Sequence, residues 1–154
     1  MAQIEIQAVV ESPEQPKLQQ IQTWVDAALE GLHQDKEIVV RIVDETESTW
    51  LNEQYRHKNG PTNILSFPFE MPDGVQDMAL NLLGDLVICA PVVASEAVEQ
   101  HKTLEHHWAH MIVHGVLHLL GYDHIDDEDA ERMESKEIAI LKQLRINNPY
   151  QHEA

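Results

Sequence analysis

Three histidines in the second half of the chain, His114, His118 and His124, stand in the stretch HGVLHLLGYDH, with Gly121 between the last two. Neutral imidazole is a good ligand for zinc and for several other transition metals. Residues i and i+4 of a helix share one face about a turn apart, so His114 and His118 can converge on one ion. His110 continues the stripe, but 110 to 118 spans about 12 Å of helix axis, too far for a third ligand of a tetrahedral site. The third ligand has to come from a chain that turns back. Gly121 supplies that turn, because glycine takes the left-handed conformation readily at a helix C-terminus. His124 then faces the same ion. Three imidazoles leave a fourth position for water, the arrangement of a catalytic zinc, which lowers the pKa of that water to about 7. One Zn2+ per chain on His114, His118 and His124 is expected; nickel, copper and iron also suit imidazole.

The plainer alternative is a solvated histidine-rich face, since seven of the ten histidines fall between residues 101 and 124. His101, His106, His107 and His110 are expected to be partly exposed, with His110 the nearest neighbour of the site, and carry no assigned role. The ligand spacing is also that of the metzincin proteases, H-E-x-x-H-x-x-G-x-x-H, whose glutamate is the general base. Gly115 stands in the glutamate position here, which makes a protease a poor reading. Asp123, beside His124, and Asp85, in LLGDLVICA, are candidates for orienting a ligand or accepting a proton. Their bland alternatives are a turn residue and a strand-end hydrogen bond.

The elements that must position these groups are legible from periodicity and punctuation. Residues 3–10 alternate as a strand. Residues 17–32 place Leu18, Ile21, Val25, Ala28, Leu29 and Leu32 on one helical face. Residues 37–44 (EIVVRIVD) read as a second strand, and 46–55 as a short helix with Thr46 as its N-cap. ILSFPFE, after the turn HKNGPTN, is a strand that Pro68 assigns to a sheet edge; Phe67 and Phe69 are expected in the core. LLGDLVICA is near-continuously apolar, as a covered central strand is. Helices are expected from Pro91 to about Lys102, over 104–120, and over 127–145. The last should start at Asp126 or Asp127 and bury Met133, Ile138, Leu141 and Leu144. The acidic DDEDAERME lacks the glycine and register of a calcium loop and reads as a solvated helix start. Together these predict one α+β domain over 1–154: a mixed, roughly four-stranded sheet packed with about five helices, among them a zincin-like histidine helix.

At 154 residues, with 43% hydrophobic and 24% charged positions, the chain has the composition of a soluble globular domain. It contains no run long enough to span a membrane and no signal-peptide pattern at its N-terminus, and Cys89 is its single cysteine. A cytoplasmic location and no membrane partner are expected. The net charge of −17, from 10 Lys+Arg against 27 Asp+Glu, opposes nonspecific binding to phosphates. Arg56, His57 and Lys58 form the compact basic candidate outside the histidine segment.

HGVLHLLGYDH resembles the signature of the YbeY family of bacterial endoribonucleases, and YRHKNGPTNILSFPFE (55–70) and LLGDLVICAP (82–91) are similar to further stretches of that family. The similarity spans about residues 38–125. The resemblance implies a metal-dependent hydrolase that cleaves single-stranded RNA within the chain, in small-subunit rRNA processing and ribosome quality control. It implies as partners single-stranded RNA, small-subunit rRNA and the ribosomal small subunit, with no DNA. It also implies zinc on His114, His118 and His124, and Arg56 as the important arginine, with Arg56 and His114 the catalytic pair.

Phosphodiester cleavage builds negative charge on non-bridging oxygens, which a metal and an arginine stabilise together. Either a metal-activated water or the RNA 2′-hydroxyl can be the nucleophile. Two other function classes fit the same residues. One is a noncatalytic ribosome-assembly factor with structural zinc, in which removing the metal unfolds the chain. The other is a metalloprotease-like hydrolase that draws its base from elsewhere.

Overall fold

The computed structural model describes residues 2–9, 15–29, 36–69, 82–122 and 126–150. Its elements run β1 (Gln3–Ala8), α1 (Leu18–Leu29), β2 (Glu37–Val43), α2 (Glu45–Arg56), β3 (Ile64–Pro68), β4 (Leu82–Cys89), α3 (Ala90–Glu99), α4 (Leu104–Leu119) and α5 (Asp127–Gln143). The strands form one mixed sheet in the order β1-β2-β4-β3. β1, β2 and β4 are parallel and β3 is antiparallel to β4. The α+β class, the four strands and the five helices are as the sequence predicts, and β3 with its Pro68 is an edge strand.

Period-two alternation divides the sheet between two apolar clusters. Ile38, Val40, Ile42, Leu86 and Ile88 point into the main core with Ile21, Val25, Trp108, Ile112, Val116 and Leu141 from α1, α4 and α5. Val43, Leu65, Val87 and Cys89 form a smaller cluster on the other face, against Leu51 of α2. α4 is the central helix: from His107 to Leu119 every residue is buried except His114 and His118, which are half-buried. A helix apolar around most of its circumference belongs inside the domain. The pair that reaches the surface in its second half is therefore the pair at i, i+4.

Two glycines set how closely α4 lies on the sheet. A Cβ on Gly115 would stand 2.6 Å from Ile64 Cδ1 and 2.8 Å from Leu86 Cδ2. A Cβ on Gly84 would stand 2.4 Å from the Phe67 carbonyl oxygen and 2.7 Å from Leu119 Cδ2. At these two points α4 lies against the sheet with no room for a methyl group between, and the His114–His118 edge borders the same cleft as β3.

Several local expectations are corrected. Asp44, not Thr46, caps α2, and its carboxylate accepts the Glu47 N–H at 2.9 Å; its extended backbone suits the cap position. Leu18 is 53% exposed, at the first turn of α1, whereas Trp24 fills the core face of that helix; Leu32 lies outside the described residues. On α5 the buried stripe is Met133, Glu137, Ile140 and Leu141, with Ile138 and Leu144 only half-buried. β4 is covered on both faces only in its later half, because α2 ends its cover at Val87 and Cys89; Asp85 is exposed. Phe67 is half-buried against the smaller cluster, and Phe69 is 39% exposed, so only the first belongs to a core.

Candidate metal centre

α4 begins at Thr103, whose hydroxyl accepts the His106 N–H at 3.1 Å. It ends in a Schellman turn: Tyr122 N–H donates to Leu117 O and Gly121 N–H to His118 O, both at 3.0 Å. Gly121 has φ 104°, the left-handed conformation expected of it. Between these caps His114 and His118 project from one face, with their Nε2 atoms 3.1 Å apart. Two nitrogens bonded to one tetrahedral ion at about 2.0–2.1 Å stand about 3.3 Å apart, so the pair is already near a chelating geometry.

Behind His114 stands a group the sequence reading missed. Glu137 of α5 is fully buried, at 0% exposure. Its Oε1 accepts a hydrogen bond from His114 Nδ1, and its Oε2 accepts one from the Tyr150 hydroxyl. His110 Nε2 completes the cluster, 3.6 Å from Glu137 Oε2 and 3.3 Å from the Tyr150 oxygen. Burial by itself would raise the Glu137 carboxyl. The hydrogen bonds and charges of His110 and His114 outweigh it and hold the group at about 2. Burial in turn lowers His110, against the opposing pull of Glu137. An ionised carboxylate on Nδ1 keeps the proton there and leaves the Nε2 lone pair of His114 directed at His118. That is the way carboxylates orient metal-binding histidines.

Among the described residues, His110, His114 and Glu137 form a group whose donor atoms are close enough to hold an ion. Both Glu137 oxygens already accept protein hydrogen bonds, so its chemistry is that of an orienting group. The His114 and His118 Nε2 atoms have the better donor set for zinc, two imidazoles at the edge of a cleft.

That cleft is lined by Tyr55, Arg56, Ser66, Phe67, His114 and His118, among others. Arg56 is the last residue of α2, and His57 follows in the left-handed conformation, φ 55°. The loop after it is held by polar residues on the inner face of α2. Ser48 Oγ donates to Thr62 O and accepts from Thr62 N–H, both at 3.0 Å, and Asn52 Nδ2 donates to Gly60 O at 2.9 Å. Backbone polar groups of a packed loop need such partners. The clamp explains why α2 buries a serine and an asparagine where an apolar stripe would be expected. Arg56, His57 and Lys58 are all exposed, at a helix C-terminus whose dipole favours cations.

The structure thus brings together Arg56, His114 and His118. It does not bring Asp85 to them: Asp85 alternates with Gly84 and Leu86, which face α4, so its side chain is on the opposite face of the sheet. There partial desolvation of its carboxyl and the nearby Glu5 raise its pKa. His124 and Asp123 lie outside the described residues. His107 and His110, expected to be partly exposed, are buried at 1% and 7%. Each has an acidic partner that sequence does not reveal, His107 pairing with Glu96 at 3.0 Å, which also accepts from Asn63 of the loop before β3. Glu137 did leave a trace in the sequence. The apolar stripe Met133, Ile140, Leu141 runs at i, i+7, i+8, and its i+4 position is this glutamate.

Gly115 also bears on the protease reading. A Cβ there would stand 2.6 Å from Ile64 Cδ1 and 2.8 Å from Leu86 Cδ2, so a glutamate has no room without displacing both side chains.

The sequence model of the family described as Endoribonuclease YbeY matches residues 4–145. A relative from Alteromonas mediterranea named Endoribonuclease YbeY is 58% identical over 137 residues, 88% of this chain and 84% of that one. Another of the same name, from Methylococcus capsulatus, is 61% identical over 127 residues, 82% and 81% of the two chains. A solution structure of a Thermotoga maritima protein superposes with a TM-score of 0.58 at 26% identity, covering 94% of this chain and 92% of that one.

Proposed function

Since the chain belongs to the Endoribonuclease YbeY family, we propose that it is a zinc-dependent endoribonuclease that cleaves single-stranded RNA, acting in the cytoplasm on small-subunit rRNA bound to or destined for the ribosomal small subunit. The observation that carries the reading is the meeting of the His114 and His118 Nε2 atoms, 3.1 Å apart, in the cleft that Arg56 also lines.

His114, His118 and His124 would hold the ion. Zinc bound there supplies Lewis acidity toward a phosphate oxygen and lowers the pKa of a coordinated water. The protein's own groups do the rest. Arg56 offers a planar, always-charged fork to the non-bridging phosphate oxygens, where negative charge grows during cleavage. Its exposed position at the cleft edge suits a phosphate that arrives from solvent. Glu137 holds His114 in one tautomer and one rotamer, so that the ligand lone pair is preset. Tyr55 and Phe67, in edge-to-face contact with centroids 5.2 Å apart, give the cleft an aromatic wall. Such a wall can stack a base that is not paired in a duplex, which favours a single strand. The acidic remainder of the surface makes the site the local exception to a repulsive field. Recruitment to the small subunit then depends on contacts other than bulk charge.

The test separates binding from cleavage. Arg56 is exposed and has no ion pair among the described residues, so Arg56→Ala is expected to keep zinc binding and to change stability by less than about 0.5 kcal/mol. Cleavage of a single-stranded RNA should fall by two orders of magnitude or more, as for loss of one transition-state donor. Arg56→Ala with wild-type cleavage would remove the phosphate-clamp role.

A further inference from the structure

The segment after α5 returns to the site. Leu144 ends the helix, Arg145 takes the left-handed conformation at φ 63°, and Ile146 N–H donates to Leu141 O at 2.8 Å. Ile146 is half-buried against the main core. The Tyr150 N–H donates to Asn148 Oδ1 at 2.8 Å, and its ring packs edge-on against His110, with centroids 5.4 Å apart. Its hydroxyl donates to Glu137 Oε2. Tyr150 lies beyond residues 4–145, the part of the chain that the family model matches.

We propose that Tyr150 is a positioning residue of the metal centre, acting through Glu137 on His114. This rests on the reading of His114 as a metal ligand. A fully buried carboxylate needs donors on both oxygens. Glu137 Oε1 is occupied by His114 Nδ1, and Oε2 by the Tyr150 hydroxyl, with His110 Nε2 farther off at 3.6 Å. Without the hydroxyl, Oε2 has only that distant donor. The carboxylate then gains by rotating toward His110, and each degree of rotation takes Oε1 away from the His114 ring. His114 loses the anchor that fixes both its tautomer and its orientation toward His118. The C-terminal segment is in this way wired to the cleft through two side chains, although Tyr150 does not line the cleft itself.

The test uses the full chain with Zn2+ alone as the probe. Zinc affinity is measured at neutral pH by competition with a chromogenic chelator for wild type, Tyr150→Phe and His114→Ala. Histidine 15N shifts and thermal unfolding are recorded on the metal-free proteins. Loss of a hydrogen-bond partner behind a ligand costs about 10–100-fold in metal affinity. Tyr150 acts one residue further back, so Tyr150→Phe is expected to weaken zinc binding about tenfold. Its metal-free 15N shifts should show His114 divided between two tautomers. Phenylalanine keeps the ring, so the metal-free protein should still fold, with its unfolding temperature lowered by several degrees because a hydrogen bond to a buried carboxylate is lost. Zinc affinity within twofold of wild type, with a single unchanged His114 tautomer, would overturn the proposal while leaving the metal site intact. Wild type that binds no zinc, or His114→Ala that binds it equally well, would overturn the metal reading and the proposal with it.

Discussion

The seating of α4 on the sheet is the feature from which the site geometry follows, and it can be disturbed by one methyl group at a time. In Gly115→Ala the new Cβ meets Ile64 Cδ1 at 2.6 Å and Leu86 Cδ2 at 2.8 Å. Both neighbours must retreat by about 1 Å to regain ordinary contact. Both are packed in the main core, Ile64 at its border with the cleft, and overpacking there costs about 1–3 kcal/mol. Alanine in a helix interior returns about 1 kcal/mol relative to glycine, so the net loss should be about 1 kcal/mol. Gly84→Ala has no such compensation. Its Cβ meets a backbone oxygen, Phe67 O, at 2.4 Å, and its φ of +150° is one that L-residues rarely adopt. Strain of about 1–3 kcal/mol then adds to overpacking, for a loss of about 3 kcal/mol or more. The assay is urea unfolding of the metal-free proteins, with both variants compared at one pH. The predicted order is wild type, then Gly115→Ala, then Gly84→Ala. Gly84→Ala within 0.5 kcal/mol of wild type, or more stable than Gly115→Ala, would refute the argument from strain and crowding at Gly84, and Gly115→Ala more stable than wild type would refute the close seating of α4.

Two further outcomes follow from side chains around the cleft. Glu137 is held at about 2 in the folded chain against an ordinary value of 4.5. The stability it contributes is therefore whole above pH 4.5 and is lost as pH falls toward 2. The drop corresponds to roughly 3 kcal/mol at most. Metal-free Glu137→Gln should accordingly show a shallower decline in stability than wild type across that window, and parallel slopes would contradict the assignment. Tyr55 is 61% exposed, so Tyr55→Ala should fold normally. Losing one stacked base costs about 1–3 kcal/mol, which predicts a KM for single-stranded RNA raised about tenfold with kcat nearly kept. An unchanged KM would exclude Tyr55 as a stacking surface.

The parts of this molecule that sequence revealed are those with local causes. α4 could be read over its length because Gly121 and the i, i+4 histidines act within the helix itself, and Thr103, which caps its start, does so too. β3 could be placed at an edge because Pro68 lacks an N–H. The parts that sequence concealed depend on contacts distant in the chain. His107 and His110 looked like surface residues because Glu96, Glu137 and Tyr150, which make their burial tolerable, come from α3, α5 and the segment beyond it. Asp85 looked like a site residue from its apolar surroundings, but alternation alone turns it to the face away from α4. Thr46 is a good capping residue, yet Asp44 is better placed because β2 ends one residue before it. Glu137 was within reach of sequence reasoning: a charge in phase with an apolar stripe is either a misread period or a buried partner, and here it is the second.

The most direct test of the central claim is cleavage of a defined single-stranded RNA by highly purified protein, as isolated, after chelation and after zinc is restored, beside His114→Ala. Cleavage should vanish on chelation, return with zinc, and be absent from His114→Ala, while the metal-free chain keeps its fold. Equal cleavage by wild type and His114→Ala, or a chain that unfolds when its metal is removed, would contradict the account and favour a structural ion in a noncatalytic assembly factor.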